Sequence, residues 1–502
     1  MLTSSEHRKE AGRRRRVTAA RINAFAFILI AAAAYSWVSL YRHDHFASNA
    51  FDLAIQDQTV WGYSRLQVIP NTVLGIPNLL GDHFHPILMV LAPFYWVWDS
   101  AGVLLVAQGV LLAAAGWPIY LWAEERLGEI PGLAFLACYL VFWGVLAGVV
   151  YDFHHVVFAV PALSTALYAT LTRRNRLLWA AVVVAMLTRE DVSLTLIALG
   201  LYIVVVQRRP ILAGVLMGLN AIWFALLIGL VMPALAGGPY RHWTYYALGT
   251  GPVSSLEHVF LHPLSSLQLL FTPIHKTLVW IGSFLSWGFL PLLSPIAIIA
   301  LPSFLERFWS SSPNFWSFHF QYSMLPAPIL AFAAIDTTIR IKSWLRGRPA
   351  SAAPIVLAVG ALVAGTVFTF GPIRPLDELG TYISDGRAAQ IESCLKAIPA
   401  NASVAASNTL VPHLSHRYEI YVITQRHDAD YIAIDPTTYN SFYAGEQNQL
   451  RDITRSSLAG GYGVACAKGL TLVLARGAQS QTLTPELDRW LAGDCSGRAC
   501  LS

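Results

Sequence analysis

Long apolar runs alternate with short polar segments along most of this chain. Many of these runs approach the roughly 20 residues that a helix needs to cross a hydrocarbon core about 30 Å thick. The pattern therefore predicts an α-helical polytopic membrane protein with about 11 transmembrane helices. The predicted spans cover 22–41, 101–123, 133–150, 156–171, 177–187, 192–206, 211–231, two within 277–305, 323–337 and 353–370.

Two apolar segments are too short to cross a membrane. The sequence ILMVLAPFYWVW at 87–98 would span only about 18 Å as a helix, and it lies in a long first loop, 42–100. We predict an interfacial or re-entrant helix there. A second short amphipathic segment covers 264–271, and Pro291 and Pro295 are predicted to break the apolar region that follows it into two tightly turned spans.

The pattern changes to that of a soluble domain after residue 371. Short strand-like runs alternate with helical segments, which is typical of a small α/β domain. The chain therefore divides into a basic tail (1–21), a transmembrane domain (22–371) and an α/β domain (372–502). The predicted strands are 402–406, 418–424, 430–435, 463–467 and 470–475, and the predicted helices are 384–398 and 442–458.

Composition supports a membrane protein over a soluble one, because 55% of the residues are hydrophobic and only 13% are charged. The net charge of +5 does not indicate nucleic-acid binding, since topology explains where the basic residues lie. Arg13 to Arg16 precede the first span, so the N-terminus is predicted to be cytoplasmic. An odd number of spans then places the α/β domain outside the cytoplasm. We interpret the first apolar run as a retained helix, because it lacks a clear small-residue cleavage site.

Cysteine placement bears on the compartment. Cys138 lies in an apolar run, whereas Cys394, Cys466, Cys495 and Cys500 lie in the predicted α/β domain. If that domain is exported, one or two disulfides are expected. Cys495 and Cys500 are the nearest pair in sequence, but the pairing stays open, as does the alternative of free thiols in a cytosolic tail.

Ionisable groups return to the membrane surface in four loops predicted to lie outside the cytoplasm. Charge beside apolar spans is costly and usually marks function, and polar groups from separate loops can line a cavity between helices. We therefore predict that these groups converge at one end of the helical bundle. The candidates are Asp52, Asp82, His83, Asp152, His154, His155, Arg189, Glu190, His319 and Tyr322.

Asp52 is the predicted general base. A carboxylate in a partly desolvated site can accept a proton from a hydroxyl when a nearby cation or imidazole stabilises its charge. The alternative is structural, because the sequence NAFD before LAIQ is also typical of a helix cap.

Asp82, His83 and His85 offer ligand types found in metal sites. No second ligand cluster stands at a recognised spacing, so a metal is left open. The alternative is an interfacial loop whose polar groups bind lipid headgroups. The same two interpretations apply to the sequence DFHH at 152–155.

Arg189 stands at the end of a short predicted helix and is followed by Glu190 and Asp191. A guanidinium positioned by carboxylates suits a phosphate group. A plain ion-pair network at a helix junction is the alternative.

Six ordered motifs resemble a bacterial family of predicted multi-pass membrane proteins that is classified as a domain of unknown function. The resemblance covers approximately residues 45–475. The motifs are FDLAIQDQTVW, LLGDHFHPILMVLAPFYWVW, YDFHHVVFAVPAL, TREDVSLTLIALGLY, FHFQYSMLPAP and VAASNTLVPHLSHR.

The layout is in turn similar to the GT-C superfamily of membrane glycosyltransferases, which use polyprenyl-phosphate sugars. Those enzymes carry a catalytic acid in a long first external loop, soon after the first helix, and Asp52 matches that position. Two features depart from their pattern. The usual acidic pair is here Phe51-Asp52, and the basic residue after the short fifth helix is here Arg189 followed by two acids.

The resemblance implies that a sugar moves from a polyprenyl-phosphate donor to an extracytoplasmic glycan, lipid or protein at the bacterial inner (plasma) membrane. Asp52 would deprotonate the acceptor, and Arg189 with His154 or His155 would stabilise the leaving phosphate. Membrane lipids are implied partners, nucleic acid is not, and no cofactor is certain, although a divalent metal stays open. Two other classes remain: a transporter or flippase of a lipid-linked precursor, and a non-catalytic scaffold with the same fold.

Overall fold

The computed structural model describes residues 4–438, 446–479 and 481–501, and these residues are mostly helical. Helices suit apolar runs because they satisfy every backbone N–H and C=O internally. The helices of the described residues are α1 (Ser4–Asp44), α2 (Ile55–Ser64), α3 (Gly102–Ala114), α4 (Gly116–Leu127), α5 (Glu129–Leu140), α6 (Trp143–Val149), α7 (Ala159–Leu171), α8 (Asn175–Met186), α9 (Val192–Val205), α10 (Pro210–Leu226), α11 (Met232–Ala236), α12 (Pro252–Leu261), α13 (Pro263–Leu269), α14 (Ile274–Leu285), α15 (Leu301–Trp309), α16 (Ala327–Trp344), α17 (Arg348–Phe368), α18 (Asp385–Leu395), α19 (Glu446–Ala459) and α20 (Pro485–Ala492).

Among the described residues, five helical segments are long and apolar enough to cross a membrane, and the bent pair α5 and α6 adds a sixth if the pair is one broken span and not a re-entrant loop. The predicted count of 11 is therefore not confirmed. Shorter apolar helices occupy several of the other predicted spans. The five long segments are Ala19–Asp44, Gly102–Leu127, Pro210–Ala236, Gln321–Trp344 and Arg348–Thr381, and the shorter helices are Pro86–Trp96, His155–Leu171, Asn175–Met186 and Val192–Val205.

Two proline-containing regions depart from α-helical geometry. Pro86–Trp96 is a 3-10 helix at the position where an interfacial or re-entrant helix was predicted. The region 277–305 holds most of α14, the 3-10 segments Leu290–Leu293 and Pro295–Ala300, and the start of α15. Proline lacks a backbone N–H and cannot continue the α-helical ladder, so the break occurs where predicted. Within this stretch, however, the second predicted span is not one continuous helix.

A buried glutamine in α3 fixes the loop that follows α6. Gln108 Nε2 donates to the carbonyl oxygens of Gly148 at 2.7 Å and Asp152 at 3.2 Å. Its Oε1 accepts the backbone N–H of His154 at 2.9 Å. Buried polar groups are costly unless they are paired, so these three bonds hold the loop against the end of the bundle.

The C-terminal region folds around a small mixed sheet. Its strands are β1 (Val404–Ala406), β2 (Ile420–Val422), β3 (Tyr431–Ile434), β4 (Tyr462–Lys468) and β5 (Thr471–Arg476). In the described residues the strand order is β2-β1-β3-β5-β4, with β1 parallel to β2 and β3, and β5 antiparallel to β3 and β4. The predicted strands are confirmed, as is the helix predicted at 384–398. The other predicted helix corresponds to α19, but its first residues, 442–445, lie outside the described residues.

Two disulfides form in the described part of this region. Cys394 of α18 is bonded to Cys466 of β4, and Cys495 is bonded to Cys500. Cys495 and Cys500 are the pair noted above as nearest in sequence. The alternative of free thiols does not hold for these four residues. Cys138 is buried and is not disulfide-bonded among the described residues.

The C-terminal region and the first loop share a hydrophobic core. Leu410 and Val411, which follow β1, are fully buried in one cluster with Ala50, Ala54 and Ile55. Burial of apolar surface is the main force that holds such contacts together. The sheet is therefore packed directly on the loop that carries Asp52.

Candidate active site

Asp52 lies on a wide helical turn in the first loop. Residues Ala50–Ala54 form a π-helical turn that leads directly into α2. Such turns are rare and are frequently found at functional sites. Ala50, Leu53 and Ala54 are fully buried, whereas the side chain of Asp52 is 20% exposed. The turn therefore anchors its backbone and leaves one carboxylate accessible.

Two side chains from the loop after α6 bind the Asp52 carboxylate. The Tyr151 hydroxyl donates to Oδ2 at 2.8 Å, and His154 Nε2 lies 2.9 Å from Oδ1. Burial alone would raise the pKa of Asp52, but His154 and Tyr151 outweigh it and hold the pKa below its usual value. Asp52 is therefore ionised at neutral pH and able to accept a proton. Its oxygens contact side chains from the loop after α6, whereas a helix cap would bind backbone N–H groups of its own helix.

His154 connects Asp52 to the segment that precedes α16. Its Nδ1 lies 3.2 Å from the carbonyl oxygen of Asp152, and the side-chain amide of Gln321 lies 2.6 Å from Nε2. The ring is thus in contact with the Asp152 carbonyl, the Asp52 carboxylate and the Gln321 amide. His154 is therefore held in a fixed position beside the proposed base.

Asp152 lies near Asp52 and is fully buried. Its Oδ1 accepts from Arg42 at 3.2 Å, and its Oδ2 accepts both the backbone and the side-chain N–H of Asn49 at 2.8 Å. Burial raises the pKa of Asp152, and the Arg42 guanidinium opposes that rise. This set of contacts suits support of the loop, and the predicted role in substrate binding stays a prediction.

A second polar cluster joins the first loop to the segment after α8. Glu190 Oε1 lies 2.7 Å from His83 Nδ1, and its Oε2 accepts the backbone N–H of Phe84 at 3.2 Å. Burial would lower the pKa of His83, but Glu190 raises it above its usual value. Burial would raise the pKa of Glu190, but His83 lowers it. These two predicted residues therefore form an ion pair.

Asp82, His83 and His242 offer three possible metal ligands whose donor atoms lie within 4.8 Å of one another. His242 Nε2 is 3.0 Å from Asp82 Oδ1, and its ring stacks on His83 with centroids 4.0 Å apart. Burial would raise the pKa of Asp82, but the two histidines lower it to about 2. One carboxylate and two imidazoles suit Zn²⁺ or a similar ion, and Glu190 is placed to orient His83 from behind.

His85 lies outside this cluster, although the sequence pattern grouped it with Asp82 and His83. Its side chain is fully buried and its ring lies 4.3 Å from that of His155. Burial lowers the pKa of His85 to about 4, so the ring is neutral. Its place beside the carboxylate is taken by His242, a residue 160 positions away from Asp82.

Arg189 lines a small cavity of about 20 Å³ together with Glu306, Arg307, Gln321 and Tyr322. Since Gln321 also contacts His154, the cavity adjoins the Asp52 carboxylate. Tyr322 stacks on Phe315 with ring centroids 4.4 Å apart.

The charges around this cavity are not balanced. Arg189 is paired with Asp191 and lies 3.5 Å from Glu306. Burial and the Asp191 carboxylate raise the pKa of Glu306 well above its usual value, which keeps Glu306 neutral. Burial lowers the pKa of Arg307 to about 9, so its guanidinium is still charged at neutral pH.

Arg307 supplies the excess positive charge. Its guanidinium donates to the carbonyl oxygens of Phe315 and Ser317 and to the hydroxyl of Ser323, and it is paired with no carboxylate among the described residues. The ion-pair network considered for the TRED sequence is thus present. Because of the excess positive charge of Arg307, the cavity beside this network favours an anion.

The structure brings most of the predicted residues to one end of the bundle. His155 lies between the two clusters, with its ring 5.3 Å from His83. His319 lies in the same region, but its side chain is exposed and has no place in either cluster among the described residues. Five residues with a place in these clusters were not predicted from sequence: Tyr151, His242, Glu306, Arg307 and Gln321.

Some of these residues carried a signal in the sequence. Tyr151 and Gln321 belong to the motifs YDFHH and FHFQY, whose other polar residues were selected. His242 lies in a long loop with no characteristic spacing, so only the folded chain shows its neighbours.

Residues 42–472 match a family described as predicted membrane protein (DUF2079). This chain belongs to that family. The DUF2079 protein matches no curated protein sequence. Solved structures are similar to it in fold, as the resemblance to the GT-C superfamily predicted.

Two of these solved structures are of ArnT from Cupriavidus metallidurans. The structure bound to undecaprenyl phosphate has a TM-score of 0.54 at 13% identity, and the match covers 91% of this chain and 99% of ArnT. The apo structure has a TM-score of 0.52 at 14% identity, covering 92% and 100%. At this identity the similarity establishes the fold alone: the DUF2079 protein has the GT-C fold of ArnT.

Proposed function

We propose that this DUF2079 protein is a membrane glycosyltransferase that moves a sugar from a polyprenyl-phosphate donor to an extracytoplasmic glycan, lipid or protein. The observation that carries the proposal is the ionised Asp52 beside His154, one side chain away from a positively charged cavity. The same fold in ArnT has been seen with undecaprenyl phosphate bound, which supports a lipid phosphate as the group that this cavity receives.

Asp52 is proposed to act as the general base. An acceptor hydroxyl approaches its carboxylate and gives up its proton to Asp52, while the hydroxyl oxygen forms a bond to the anomeric carbon of the sugar. The bond between that carbon and the phosphate oxygen breaks, and its electron pair leaves with the lipid phosphate. Proton transfer to a positioned carboxylate is worth about 10²- to 10⁴-fold in rate.

Arg189 and Arg307 are proposed to hold the phosphate. Negative charge increases on the phosphate as the sugar leaves, and preorganised cations stabilise this charge most strongly in a site that excludes water. Because Asp191 already neutralises Arg189, the excess charge of Arg307 is expected to provide most of the attraction. Tyr322 and Gln321 offer a hydroxyl and an amide that can donate to phosphate oxygens.

Asp82, His83 and His242 are proposed to hold a divalent cation. When bound, such an ion polarises oxygen atoms and neutralises negative charge. It would also tie the first loop to the loop that contains His242. The proton transfer at Asp52 does not pass through this group.

The side of the membrane is also proposed. The two disulfides are typical of an oxidising compartment, which supports an extracytoplasmic C-terminal region and a site that opens to the outer leaflet of the bacterial plasma membrane.

The test is transfer of radiolabelled sugar by the purified full-length protein in lipid, with a panel of polyprenyl-phosphate sugars and candidate acceptors. We expect turnover by the wild type and its loss in Asp52→Asn. Asp99→Asn is the matched control, because Asp99 is half-exposed in the same loop and pairs with His416 and Arg65. Absence of turnover together with movement of the lipid between leaflets would favour the transporter, and absence of both would favour the scaffold.

A further inference from the structure

We infer that Asn408, in the C-terminal region, is a positioning residue for Asp52, an inference that rests on the proposed function. Asn408 Oδ1 accepts the backbone N–H of Ala50 at 3.0 Å, and its Nδ2 donates to Asn49 Oδ1 at 2.9 Å. Ala50 is the first residue of the π-helical turn that carries Asp52. One side-chain amide therefore binds both the backbone and the side chain at the start of that turn.

The amide pair continues into a buried chain of hydrogen bonds. Asn49 donates twice to Asp152, and Asp152 in turn accepts from Arg42 of α1. These four side chains are between 0% and 6% exposed. Buried polar networks are rigid when they are fully paired and costly when one partner is removed. The turn is thus held between the membrane helices and the C-terminal region.

Asn408 is itself fixed to the sheet. The preceding residue, Ser407, donates its N–H to the carbonyl oxygen of Ala433 in β3 at 3.0 Å, and its hydroxyl accepts the N–H of Asp435 at 3.3 Å. Leu410 then enters the core that the sheet shares with Ala50. The position of the turn is therefore defined relative to the sheet.

The placement of the turn matters because Asp52 must reach groups from several elements. Tyr151 and His154 come from the loop after α6, Arg42 from α1, and Tyr322 from the residues before α16. If the turn shifted, the 2.8 Å and 2.9 Å contacts to Tyr151 and His154 would lengthen while the carboxylate stayed mostly shielded from water. The pKa of Asp52 would then rise, and its oxygen would be misplaced for the acceptor.

The same interface contains contacts that do not touch the turn. The hydroxyl of Tyr418 donates to Gln67 Oε1 at 2.8 Å, beyond the end of α2. Tyr418→Phe removes one hydrogen bond between the C-terminal region and the first loop without altering the amide pair. It is therefore a matched control for Asn408→Ala.

The experiment compares wild type, Asn408→Ala, Asn408→Asp and Tyr418→Phe as full-length proteins in lipid nanodiscs. For Asn408→Ala we expect kcat to fall by ~10²-fold, the loss typical of a 1 Å misplacement, with the donor KM nearly unchanged and the acid limb of kcat moved to higher pH. Hydrogen exchange should become faster in the peptide covering residues 49–54. Asn408→Asp keeps the acceptor for Ala50 but puts a buried carboxylate oxygen against Asn49 Oδ1, so its effect should be at least as large as that of Asn408→Ala.

The control result differs from the results that would overturn the inference or the proposed function. Tyr418→Phe should leave the acid limb and the exchange of residues 49–54 unchanged. The inference is overturned if Asn408→Ala changes neither the acid limb of kcat nor the hydrogen exchange of residues 49–54. It is also overturned if Asn408→Ala lowers kcat but changes these two quantities no more than Tyr418→Phe does. If the wild type transfers no sugar from any donor, the proposed function fails, and the exchange of residues 49–54 still decides whether Asn408 holds the turn.

Discussion

Asp52 and Asp57 belong to one short sequence, FDLAIQD, yet they face different parts of the molecule. Asp52 is 20% exposed and binds Tyr151 and His154 of the membrane domain. Asp57 is fully buried. It accepts the Tyr95 hydroxyl at 2.5 Å, the Ser415 hydroxyl, and His416 Nε2 at 3.1 Å, and the last two come from the C-terminal region.

The comparison shows that an altered pKa does not by itself identify a catalytic carboxylate. Burial would raise the pKa of both residues, and in both cases nearby histidines and hydroxyls lower it. The two residues differ in how much of the carboxylate remains accessible to a substrate. Asp57 is closed off by its donors and joins two parts of the chain, whereas Asp52 keeps an exposed surface beside a positively charged cavity.

The largest expected effect is on turnover in Asp52→Asn. Loss of the base should lower kcat by ~10²- to 10⁴-fold, while the thermal midpoint stays close to that of the wild type because the amide can still accept from Tyr151. Sugar transfer and thermal unfolding should be measured on the same preparation. A large drop in the midpoint would instead indicate that Asp52, like Asp57, has a structural role.

Asp57→Asn should show the opposite result. Removal of one partner of a buried ion pair costs about 3 kcal/mol, so we expect a clearly lower thermal midpoint and nearly normal turnover per folded molecule. An active-site titration alongside the unfolding curve separates the two quantities. Full stability with lost turnover would contradict a structural role for Asp57.

Tyr151→Phe tests the hydrogen bond that Tyr151 donates to Asp52. The lost hydroxyl donor destabilises the carboxylate, so the pKa of Asp52 should rise and the acid limb of kcat should move to higher pH, with about a tenfold fall in the maximal rate. Tyr168→Phe is a suitable control, because its hydroxyl bonds Glu125 elsewhere in the bundle. An unchanged acid limb in Tyr151→Phe would remove Tyr151 from the site.

The smallest expected effect is the pH dependence of stability due to His416. Burial would lower the pKa of His416, but Asp57 and Asp99 raise it to about 9. Its contribution to stability is therefore complete below its usual pKa of about 6.5 and is lost as the pH rises through 9. The thermal midpoint of the wild type should fall across this range more steeply than that of His416→Gln, and parallel curves would count against the ion pair.

Local patterns predicted much of the C-terminal region and part of the site. The strands could be predicted because β-branched runs lie between turn residues. The Cys495–Cys500 disulfide could be predicted because the two residues are close in the chain. Asp52 stood out because it is a charged residue next to an apolar helix.

Long-range contacts could not be predicted in the same way. His242, Glu306 and Asn408 acquire their roles only through partners more than 100 residues away, and no spacing rule links them to those partners. The number of spans was not confirmed because 3-10 segments and short helices interrupt apolar runs, and a hydropathy pattern does not show where a run changes helix type.

The hydrogen bond between Ala50 and Asn408 joins residues 358 positions apart, which has a consequence for biogenesis. Synthesis proceeds at 5–20 residues per second, so the turn that carries Asp52 is made about 20–70 s before its partner. During that interval the membrane helices can insert, but the turn lacks one of its two supports. The site is therefore completed late, when the C-terminal sheet has folded against the first loop.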